Sequence, residues 1–318
     1  MSRRLAVIMD PLGGIKGYKD TTVGLLREAA RRGYEIYYAE PGDLSLRDGK
    51  VRIAARSLGV GADDHAWYTL GAPAHVTAED LDVVLMRKDP PFNMEYVYAT
   101  YLLELLERDG VLVVNRPRSL RDANEKLFTA WFPDVTPPTL VTRRQKDLRG
   151  FLAEQADIVL KPLDGMGGAS IFRVRANDPN TTVIFETMTA HEERFAMAQR
   201  YLPQIAEGDK RILVIDGEPV PYALARIPAP GESRGNLAAG GRGEGRALSD
   251  ADKRIAARVG PVLREKGLLF VGLDVIGDHL TEINVTSPTG MRELDKAYAL
   301  NIAARLFDAM ETRLGSER

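Results

Sequence analysis

The feature that most constrains this chain is a glycine-rich stretch at residues 161–170, which reads KPLDGMGGAS. The apolar run 158–160 before it predicts a buried strand, and the alternating residues 171–174 after it predict a second one. The stretch therefore bends between two strands, where glycines let backbone N–H groups approach a ligand closely. Lys161 supplies a compact cation suited to phosphate.

Two familiar phosphate-binding loops do not fit this stretch. A Walker loop places Lys-Ser or Lys-Thr after its last glycine and continues into a helix, and the dinucleotide-binding turn also leads into a helix. Here a strand is predicted to follow instead. A plain glycine hairpin without a ligand remains the alternative interpretation.

Composition excludes several classes of protein. The 318 residues, 44% hydrophobic and 28% charged, are typical of a soluble protein with two or three subdomains. A net charge of −2 gives no electrostatic attraction to nucleic acid or to an anionic membrane. The absence of cysteine excludes disulfides, thiolate metal sites and a cysteine nucleophile. No apolar run approaches the ~20 residues of a membrane span, and the N-terminal run is too short for a signal peptide. We therefore expect a cytoplasmic protein.

The first part of the chain alternates strands with helices. Near-continuous apolar runs predict strands, and helical periodicity predicts the elements between them, in the order strand 5–9, helix 22–31, strand 35–39, strand 81–86, helix 96–108 and strand 111–114. This order predicts a parallel sheet flanked by helices, with loops and short hairpins at 44–76. Binding residues in such sheets gather beyond the carboxyl ends of the strands, where Asp10, Arg87, Lys88 and Asp89 stand. Solvation of a loop is the alternative role for these four.

The rest of the chain is predicted to be α+β. A helix is expected from Ser119 or Asp122 through Phe132, where a Pro-Pro pair follows. The later elements are predicted as helix 146–155, strands 183–185 and 195–199, a hairpin around Asp216-Gly217, a long loop, helix 250–266, a hairpin near Gly277 and a terminal helix. We expect three units with bounds 1–122, 123–200 and 201–318.

The segment 272–288, GLDVIGDHLTEINVTSP, contains three residues with oxygen ligands, Asp274, Glu282 and Asn284. Such oxygens suit magnesium. A three-residue turn at 277–279 would pair Asp274 with Glu282 and place Asn284 on the same face, whereas a two-residue turn would put the two carboxylates on opposite faces. Facing carboxylates repel, so the first register favours a bound cation. An exposed strand face without metal is the alternative.

Three further features concern anions and an adenine. Around Asp216-Gly217, a two-residue turn places Arg211 and Arg226 on one face, as for carboxylate or phosphate ligands; salt bridges to nearby acids are the alternative. The glycine-rich segment 227–245 has the length of a lid, with Arg234 and Arg242 able to close over an anion, or else is a linker. The segment 197–203 offers backbone groups to an adenine at a hinge, unless it is an ordinary edge strand.

Together these residues resemble the ATP-grasp ligases, and specifically the bacterial glutathione synthetases. The resemblance runs in order through most of the chain, and its motifs are MDP at 9–11, RKDPPF at 87–92, NEKLFTAWF at 124–132, KPLDGMGGASIFRV at 161–174, MAQRYLP at 197–203, GDKRILVIDGEPVPYALARIP at 208–228, RGNLAAGGRGE at 234–244 and GLDVIGDHLTEINVTSPTG at 272–290. It implies an ATP-grasp fold of α/β and α+β units, with an N-terminal parallel-sheet domain that precedes the ATP-grasp part and serves the substrate.

The resemblance also implies roles for individual residues. The ATP site it implies comprises Lys126, Lys161, Gly165, Met166, Gly167, Gly168, Gln199, Tyr201, Leu202 and Asp209. Two Mg²⁺ ions, or Mn²⁺ in their place, would be held by Asp274, Glu282 and Asn284. The catalytic and peptide-binding residues it implies are Arg211, Arg226, Arg234, Ser287, Pro288, Thr289 and Gly290. Gly290 departs from the family, in which a cysteine often occurs at this place.

The reaction implied is the ligation of γ-glutamylcysteine and glycine to glutathione, with ATP converted to ADP and phosphate through an acyl phosphate. Such chemistry needs charge neutralisation and alignment rather than an enzyme nucleophile, and none is evident in the sequence. The family also suggests a homotetramer. Two alternatives stay open: an ATP-binding regulatory module on the same fold, as synapsin is, and another amide ligase such as a D-alanine or glutamate ligase.

Overall fold

A computed structural model describes residues 2–165, 168–229, 235 and 241–316. These residues form one sheet of seven strands, one of four and one of five. None of the helices within those ranges has both the length and the apolar character needed to cross a bilayer.

The N-terminal unit is built on the seven-stranded sheet. Its elements are β1 (Arg4–Ile8), α1 (Thr21–Arg31), β2 (Glu35–Ala39), β3 (Leu44–Arg47), β4 (Lys50–Val60), β5 (Tyr68–Val76), β6 (Val83–Met86), α2 (Met94–Arg108), β7 (Leu112–Val114) and α3 (Pro117–Asp122). The strand order is β3-β4-β2-β1-β6-β7, with β5 paired to β4. β1 pairs in parallel with β2 and β6, and β6 with β7, which confirms the predicted parallel sheet. This arrangement places the ends of β1 and β6 side by side.

The region 44–76 is more regular than the predicted loops and short hairpins. β4 has eleven residues and β5 nine, and they form a long antiparallel pair. β4 buries Val51, Ile53 and Ala55 and exposes the residues between them. That alternation is the pattern of a half-buried strand, and it was visible in the sequence.

A small unit follows, built on the four-stranded antiparallel sheet. Its elements are β8 (Thr139–Thr142), α4 (Gln145–Gln155), β9 (Asp157–Pro162), β10 (Phe172–Arg175), α5 (Thr181–Thr189) and β11 (Ala196–Arg200). The strand order is β10-β9-β11-β8. The predicted strand at 183–185 is wrong, because these residues lie inside α5. The apolar triplet suggested a strand, but Phe185, Met188 and Thr189 are the buried residues, and their spacing is helical.

The predicted helix from Ser119 or Asp122 through Phe132 is also wrong. α3 ends at Asp122, and a separate 3₁₀ segment runs over Leu127–Trp131. Between them the Asn124 side chain accepts hydrogen bonds from the N–H groups of Lys126 (3.1 Å) and Leu127 (2.9 Å). An asparagine that bonds to its own backbone competes with helix formation in this way.

The large unit holds the five-stranded antiparallel sheet. Its elements are β12 (Asp209–Ile215), β13 (Glu218–Ile227), β14 (Arg242–Ala247), α6 (Asp250–Glu265), β15 (Phe270–Ile276), β16 (His279–Asn284), α7 (Met291–Tyr298) and α8 (Ile302–Ser316). The strand order is β14-β13-β12-β15-β16. The end of the predicted long loop is therefore strand β14, and α7 precedes the expected terminal helix.

The apolar cores join two of the three units. Residues of β1 and β6 share continuous buried clusters with residues of β12 and β15, such as Ala6 with Val271 on one side and Leu5 with Phe270 on the other. The small unit instead has a core of its own around Leu148, Leu160 and Phe185. The small sheet therefore lies against a larger, continuous body.

Candidate active site

A cavity of about 400 Å³ lies between the small and large sheets. β9 and β11 form one wall, while β12, β13, β15 and β16 form the other, and Asp89 and Pro90 reach it from the N-terminal unit. Of the residues predicted for the site, those that line this cavity are Lys126, Lys161, Gly165, Gly168, Gln199, Tyr201, Leu202, Asp209, Arg211, Arg226, Asp274, Glu282, Asn284, Ser287, Thr289 and Gly290. Pro288 lies behind the lining. Met166, Gly167 and Arg234, with most of the predicted lid, fall outside the described residues.

Two buried lysines converge on one carboxylate in the middle of the cavity. The Nζ atoms of Lys126 and Lys161 lie 3.7 and 3.8 Å from Oε1 of Glu282. Burial lowers the pKa of Lys161 despite this carboxylate. Burial opposes the charge of Lys126 as well, but Glu282 and Glu125 together raise its pKa. Two neighbouring cations beside the glycine-rich bend have the charge and the donors that suit phosphate oxygens.

The glycine-rich bend is tied to Lys126. Nζ of Lys126 donates to the carbonyl oxygen of Gly165 at 2.5 Å and also contacts the Glu125 carboxylate. A Cβ atom at Gly165 would stand 2.6 Å from Cγ of Pro162, so a larger residue would displace the bend. The bend is thus held over the lysines by a side-chain contact rather than by a helix.

One part of the cavity is lined by Gln199, Tyr201 and Leu202. Gln199 is buried on β11 and donates from Nε2 to Oγ1 of Thr139 at 3.0 Å. The guanidinium of Arg173 lies 3.4 Å from the centre of the Tyr201 ring and is held there by an ion pair with Asp157 at 2.6 Å. Arg173 was not predicted for the site. The signal was its alternation with buried Val174, which places it on the opposite face of β10.

The two predicted arginines share a face and meet one carboxylate. Nε of Arg211 lies 2.5 Å from Oδ1 of Asp274, and Nη2 of Arg226 lies 2.8 Å from Oδ2 of the same residue. All three side chains are buried. Burial alone would raise the pKa of Asp274, but the two guanidinium groups hold it well below the usual range. The predicted common face is confirmed, and the salt bridges named as its alternative are also present.

Asp209 stands next to this cluster on β12. Its Oδ2 accepts from Nη2 of Arg226 at 2.5 Å. Its buried Oδ1 has no hydrogen-bond partner among the residues the structure describes. Burial raises the pKa of Asp209 to about 7, against the opposing effect of Arg226. A buried oxygen without a partner, at the wall of a cavity, is a place for a ligand hydroxyl to donate.

The hairpin of β15 and β16 has the predicted pairing of Asp274 with Glu282, but its turn differs from the predicted one. The three-residue turn at 277–279 is wrong: Ile276 pairs with His279 around a two-residue turn. Asp274 nevertheless pairs with Glu282, because Thr281 is an extra residue between the pairs Val275–Leu280 and Asp274–Glu282. This bulge restores the face that the shorter turn would have reversed.

The oxygens of this hairpin fit a magnesium ion. The Asn284 amide nitrogen donates to the carbonyl oxygen of Gly272 at 3.3 Å, which leaves its oxygen for a ligand. Glu282 and Asn284 lie two residues apart on β16 and so share a face, with Asp274 opposite Glu282. Across the described ranges no group of three or more acidic or histidine side chains is placed to hold a metal ion, so this mixed set is the candidate.

The turn 287–290 closes the far end of the cavity. The carbonyl oxygen of Pro288 accepts from Nη2 of Arg87 at 3.0 Å, and that of Thr289 accepts from Nη1 of Arg211 at 3.4 Å. Gly290 has φ +101°, and a Cβ atom there would stand 3.2 Å from Cδ2 of Leu224. A side chain at this position, such as the cysteine of the family, would therefore need Leu224 to yield.

Comparison with known proteins gives matches along nearly the whole chain. Residues 4–121 match the N-terminal domain of prokaryotic glutathione synthetase, and residues 125–299 match its ATP-grasp domain. A glutathione synthetase of Pseudomonas syringae pv. tomato is 59% identical over 318 residues and covers all of both chains. Those of Yersinia pestis and Escherichia coli K12 are each 58% identical and cover 99% and 98% of both chains.

Solved structures show the same fold at low identity. D-cycloserine synthetase DcsG superposes with a TM-score of 0.68 at 16% identity, covering 98% of this chain and 99% of that one. D-alanyl-alanine synthetase A from Vibrio cholerae gives 0.60 at 11% identity, covering 99% of both. These two likenesses concern the fold alone.

Proposed function

The chain belongs to the prokaryotic glutathione synthetase family, and on that premise we propose how its cavity joins γ-glutamylcysteine to glycine at the expense of ATP. The protein is an ATP-dependent ligase that forms glutathione. The observation that supports the assignment of the site is that one cavity is lined by Gln199 and Tyr201, by two lysines, by the carboxylate–amide face and by two arginines.

The nucleotide occupies the end of the cavity formed by β11. Gln199, Tyr201 and Leu202 border the adenine, and Asp209 accepts from a ribose hydroxyl through its free Oδ1. Lys126 and Lys161 bind the phosphates beneath the bend that contains Gly165 to Gly168. These lysines are already held beside one another by Glu282, so little reorganisation is needed when the phosphates enter.

ATP-grasp ligases use ATP and Mg²⁺, and we assign the metal to Asp274, Glu282 and Asn284. Bound there, two ions, or Mn²⁺ in their place, would neutralise the charge of the phosphates. The arginines that now hold Asp274 lie next to this face.

Arg211 and Arg226 orient the carboxylate of the donor dipeptide toward the terminal phosphate, and Arg234 of the predicted lid assists them. Transfer of the terminal phosphoryl group of ATP to this carboxylate releases ADP and gives an acyl phosphate. The amine of glycine then attacks the carbonyl carbon, forms the amide bond with loss of a proton and displaces phosphate. The turn of Ser287, Pro288, Thr289 and Gly290 bounds the peptide end. Holding both reactants in place can supply ~7–11 kcal/mol of the barrier.

The test is mass spectrometry of the products formed from ATP, Mg²⁺, γ-glutamylcysteine and each of the twenty amino acids. We expect glutathione with glycine, and phosphate release that requires both the peptide and glycine. Faster formation of a D-alanine dipeptide or of a glutamate adduct would contradict the substrates while leaving the ATP-grasp assignment in place. Absence of phosphate release when peptide and glycine are both present would favour a binding module.

The three-unit division at 1–122, 123–200 and 201–318 and the homotetramer are further proposals. α3 ends at Asp122 and β11 ends at Arg200, which supports both internal bounds. Sedimentation equilibrium of the full chain tests the tetramer.

A further inference from the structure

We propose that Asp89 binds the α-ammonium group at the γ-glutamyl end of the donor dipeptide. The inference rests on the function proposed above and adds a specificity-determining residue to it. It assigns a task to the sequence RKDPPF, which the nucleotide, the metal and the two arginines leave unused.

Asp89 reaches the cavity from the N-terminal unit. It lies three residues beyond the end of β6, and its neighbours in the cavity lining include Ser287, Thr289 and Gly290. Its backbone N–H donates to Oδ2 of Asp10 at 2.8 Å, at the end of the adjacent strand. The contact fixes the backbone and leaves the carboxylate of Asp89 directed to other partners.

The cations beside Asp89 in the sequence are engaged elsewhere. Nζ of Lys88 forms an ion pair with Oδ1 of Asp10 at 2.7 Å. Arg87 is buried and donates from Nε to Thr22 Oγ1 (3.1 Å) and from Nη2 to the Pro288 carbonyl (3.0 Å). No lysine or arginine in the described part of the chain pairs with the carboxylate of Asp89. Among the described residues, Arg87 thus acts on this carboxylate through its charge alone, and the cavity offers it without an ion-pair partner.

The surroundings of this carboxylate favour an added positive charge. Desolvation in the cleft raises the pKa of Asp89, a hydrogen bond from Ser287 and the charge of Arg87 oppose this rise, and Asp10 and Asp20 add to it. Asp89 is nonetheless open to solvent within the cleft, so a ligand can reach it. An ammonium ion placed there relieves the repulsion between neighbouring acids and supplies the missing hydrogen bonds.

The length of the donor is compatible with contact to Asp89. Along the chain, Ser287 lies three residues past Asn284, and three extended residues span at most about 10 Å. In γ-glutamylcysteine, seven covalent bonds separate the reacting carboxyl carbon from the α-nitrogen, which corresponds to roughly 8 Å when extended. A donor activated beside Glu282 and Asn284 therefore extends its ammonium group to Ser287 and Asp89.

The amine of glycine is a poorer candidate for this position. That nitrogen must reach the activated carbonyl carbon itself, beside the phosphate and the metal face. Asp89 stands at the opposite end of the donor. The distal ammonium of the dipeptide is the cation that the geometry brings to Asp89.

The test compares two donors on two proteins. γ-Glutamylcysteine and its desamino analogue, N-glutarylcysteine, are assayed with saturating ATP, Mg²⁺ and glycine on the full chain and on Asp89→Asn. For the unaltered chain we expect kcat/KM to be roughly 10- to 100-fold lower with the analogue, the value of one charge-assisted hydrogen bond. In Asp89→Asn, we expect kcat/KM with γ-glutamylcysteine to fall to the value with the analogue, so that the ratio of the two kcat/KM values approaches one. The KM for ATP is expected to stay unchanged.

The control is Asp278→Asn, which removes one exposed carboxylate at the hairpin turn outside the cavity lining. We expect its ratio of kcat/KM values for the two donors to equal that of the unaltered chain. Equal loss with both donors in Asp89→Asn would show a structural role and overturn the proposal, as would an unchanged ratio. Failure of the unaltered chain to form any glutathione would overturn the proposed function and this inference together.

Discussion

At the scale of single residues, two opposing effects act on the pKa of Asp209. Burial raises its pKa to about 7 from an ordinary 3.8, while Arg226 holds one of its oxygens at 2.5 Å. A raised pKa means that the folded protein binds this proton more tightly than the unfolded chain. The contribution of Asp209 to stability is therefore greatest below pH 3.8 and is lost as the pH rises through about 7.

The variant Asp209→Asn is expected to remove this pH dependence. Between pH 4 and pH 7, the free energy of unfolding of the unaltered chain should fall relative to the variant by at most about 1.4 kcal/mol per pH unit. Urea unfolding of both proteins at pH 5, 6 and 7 measures the difference. A difference that stays constant across that range would contradict the raised pKa.

Glu282 lies near both lysines and belongs to the proposed metal site, so we expect its charge to matter more for the reaction than for the fold. In Glu282→Gln we expect ligation to fall by at least about 100-fold, because charge stabilisation at the reacting phosphate is lost. Without Mg²⁺ the melting temperature should change little, since both ion pairs of Glu282 are long, at 3.7 Å with Lys126 and 3.8 Å with Lys161.

Calorimetry with ATP separates these effects for Glu282→Gln. The unaltered chain should show an Mg²⁺-dependent rise in melting temperature with ATP, and the variant should lose that rise. A variant that retains it would show that Glu282 does not hold the metal.

At the scale of elements, β14 is held by a close contact with α7. A Cβ atom at Gly245 would stand 2.4 Å from Cε2 of Tyr298, whose ring stacks on Tyr222 at 3.6 Å between centroids. Tyr222 pairs with Ala247 in the sheet, so the stack holds β14, which includes the end of the predicted lid, against the rest of the large unit.

Gly245→Ala should therefore push Tyr298 out of its stack and destabilise the protein by about 1–3 kcal/mol, the usual cost of overpacking. Thermal unfolding measures the loss, and the disturbed base of the lid should also lower kcat. The matched control is Gly150→Ala in α4, where no atom lies within 4 Å of the added Cβ and an alanine favours the helix. Equal stability of the two variants would contradict the contact.

The same elements show what the sequence could and could not supply. The strand at 35–39 was predicted to the residue, because Gly33 on one side and Pro41-Gly42 on the other bound its short apolar run. In the hairpin at Gly277, the pairing of Asp274 with Glu282 was predicted correctly, but the turn was not. The bulge at Thr281, which allows this pairing with a two-residue turn, has no signal in the sequence. The helix α5 was missed because its apolar triplet is too short to show periodicity.

The candidate site follows the same division. Lysines, carboxylates and glycines were found from their motifs, whereas Arg173 takes its place through a cation–π contact with Tyr201. Asp89 was located beyond a strand, but only the fold shows that Lys88 and Arg87 leave its carboxylate to the cavity. Contacts between distant segments carry no local signal, so they could not be read from the chain alone.

At the scale of the whole molecule, the N-terminal and large units are joined by polar contacts as well as by a shared core. Nδ2 of Asn115 donates to the carbonyl oxygens of Phe270 (2.8 Å) and Val285 (2.7 Å), and its Oδ1 accepts from the N–H of Phe270 (2.9 Å). All three contacts are buried. The small unit has its own core and takes no part in them.

This arrangement predicts which parts unfold together, and native-state hydrogen exchange can test it. Asn115→Ala leaves buried backbone groups of Phe270 and Val285 without this partner, which should cost about 3 kcal/mol. We expect β1, β6 and β15 to lose protection by a similar amount, because they belong to one cooperative body. β9 and β11 should keep theirs, since the small unit opens by itself at a lower free energy. Leu160→Ala, in the core of the small unit, should lower protection in β9 and β11 and leave it unchanged in β1, β6 and β15. Equal loss of protection in all of these strands, in both variants, would mean that the three units unfold together.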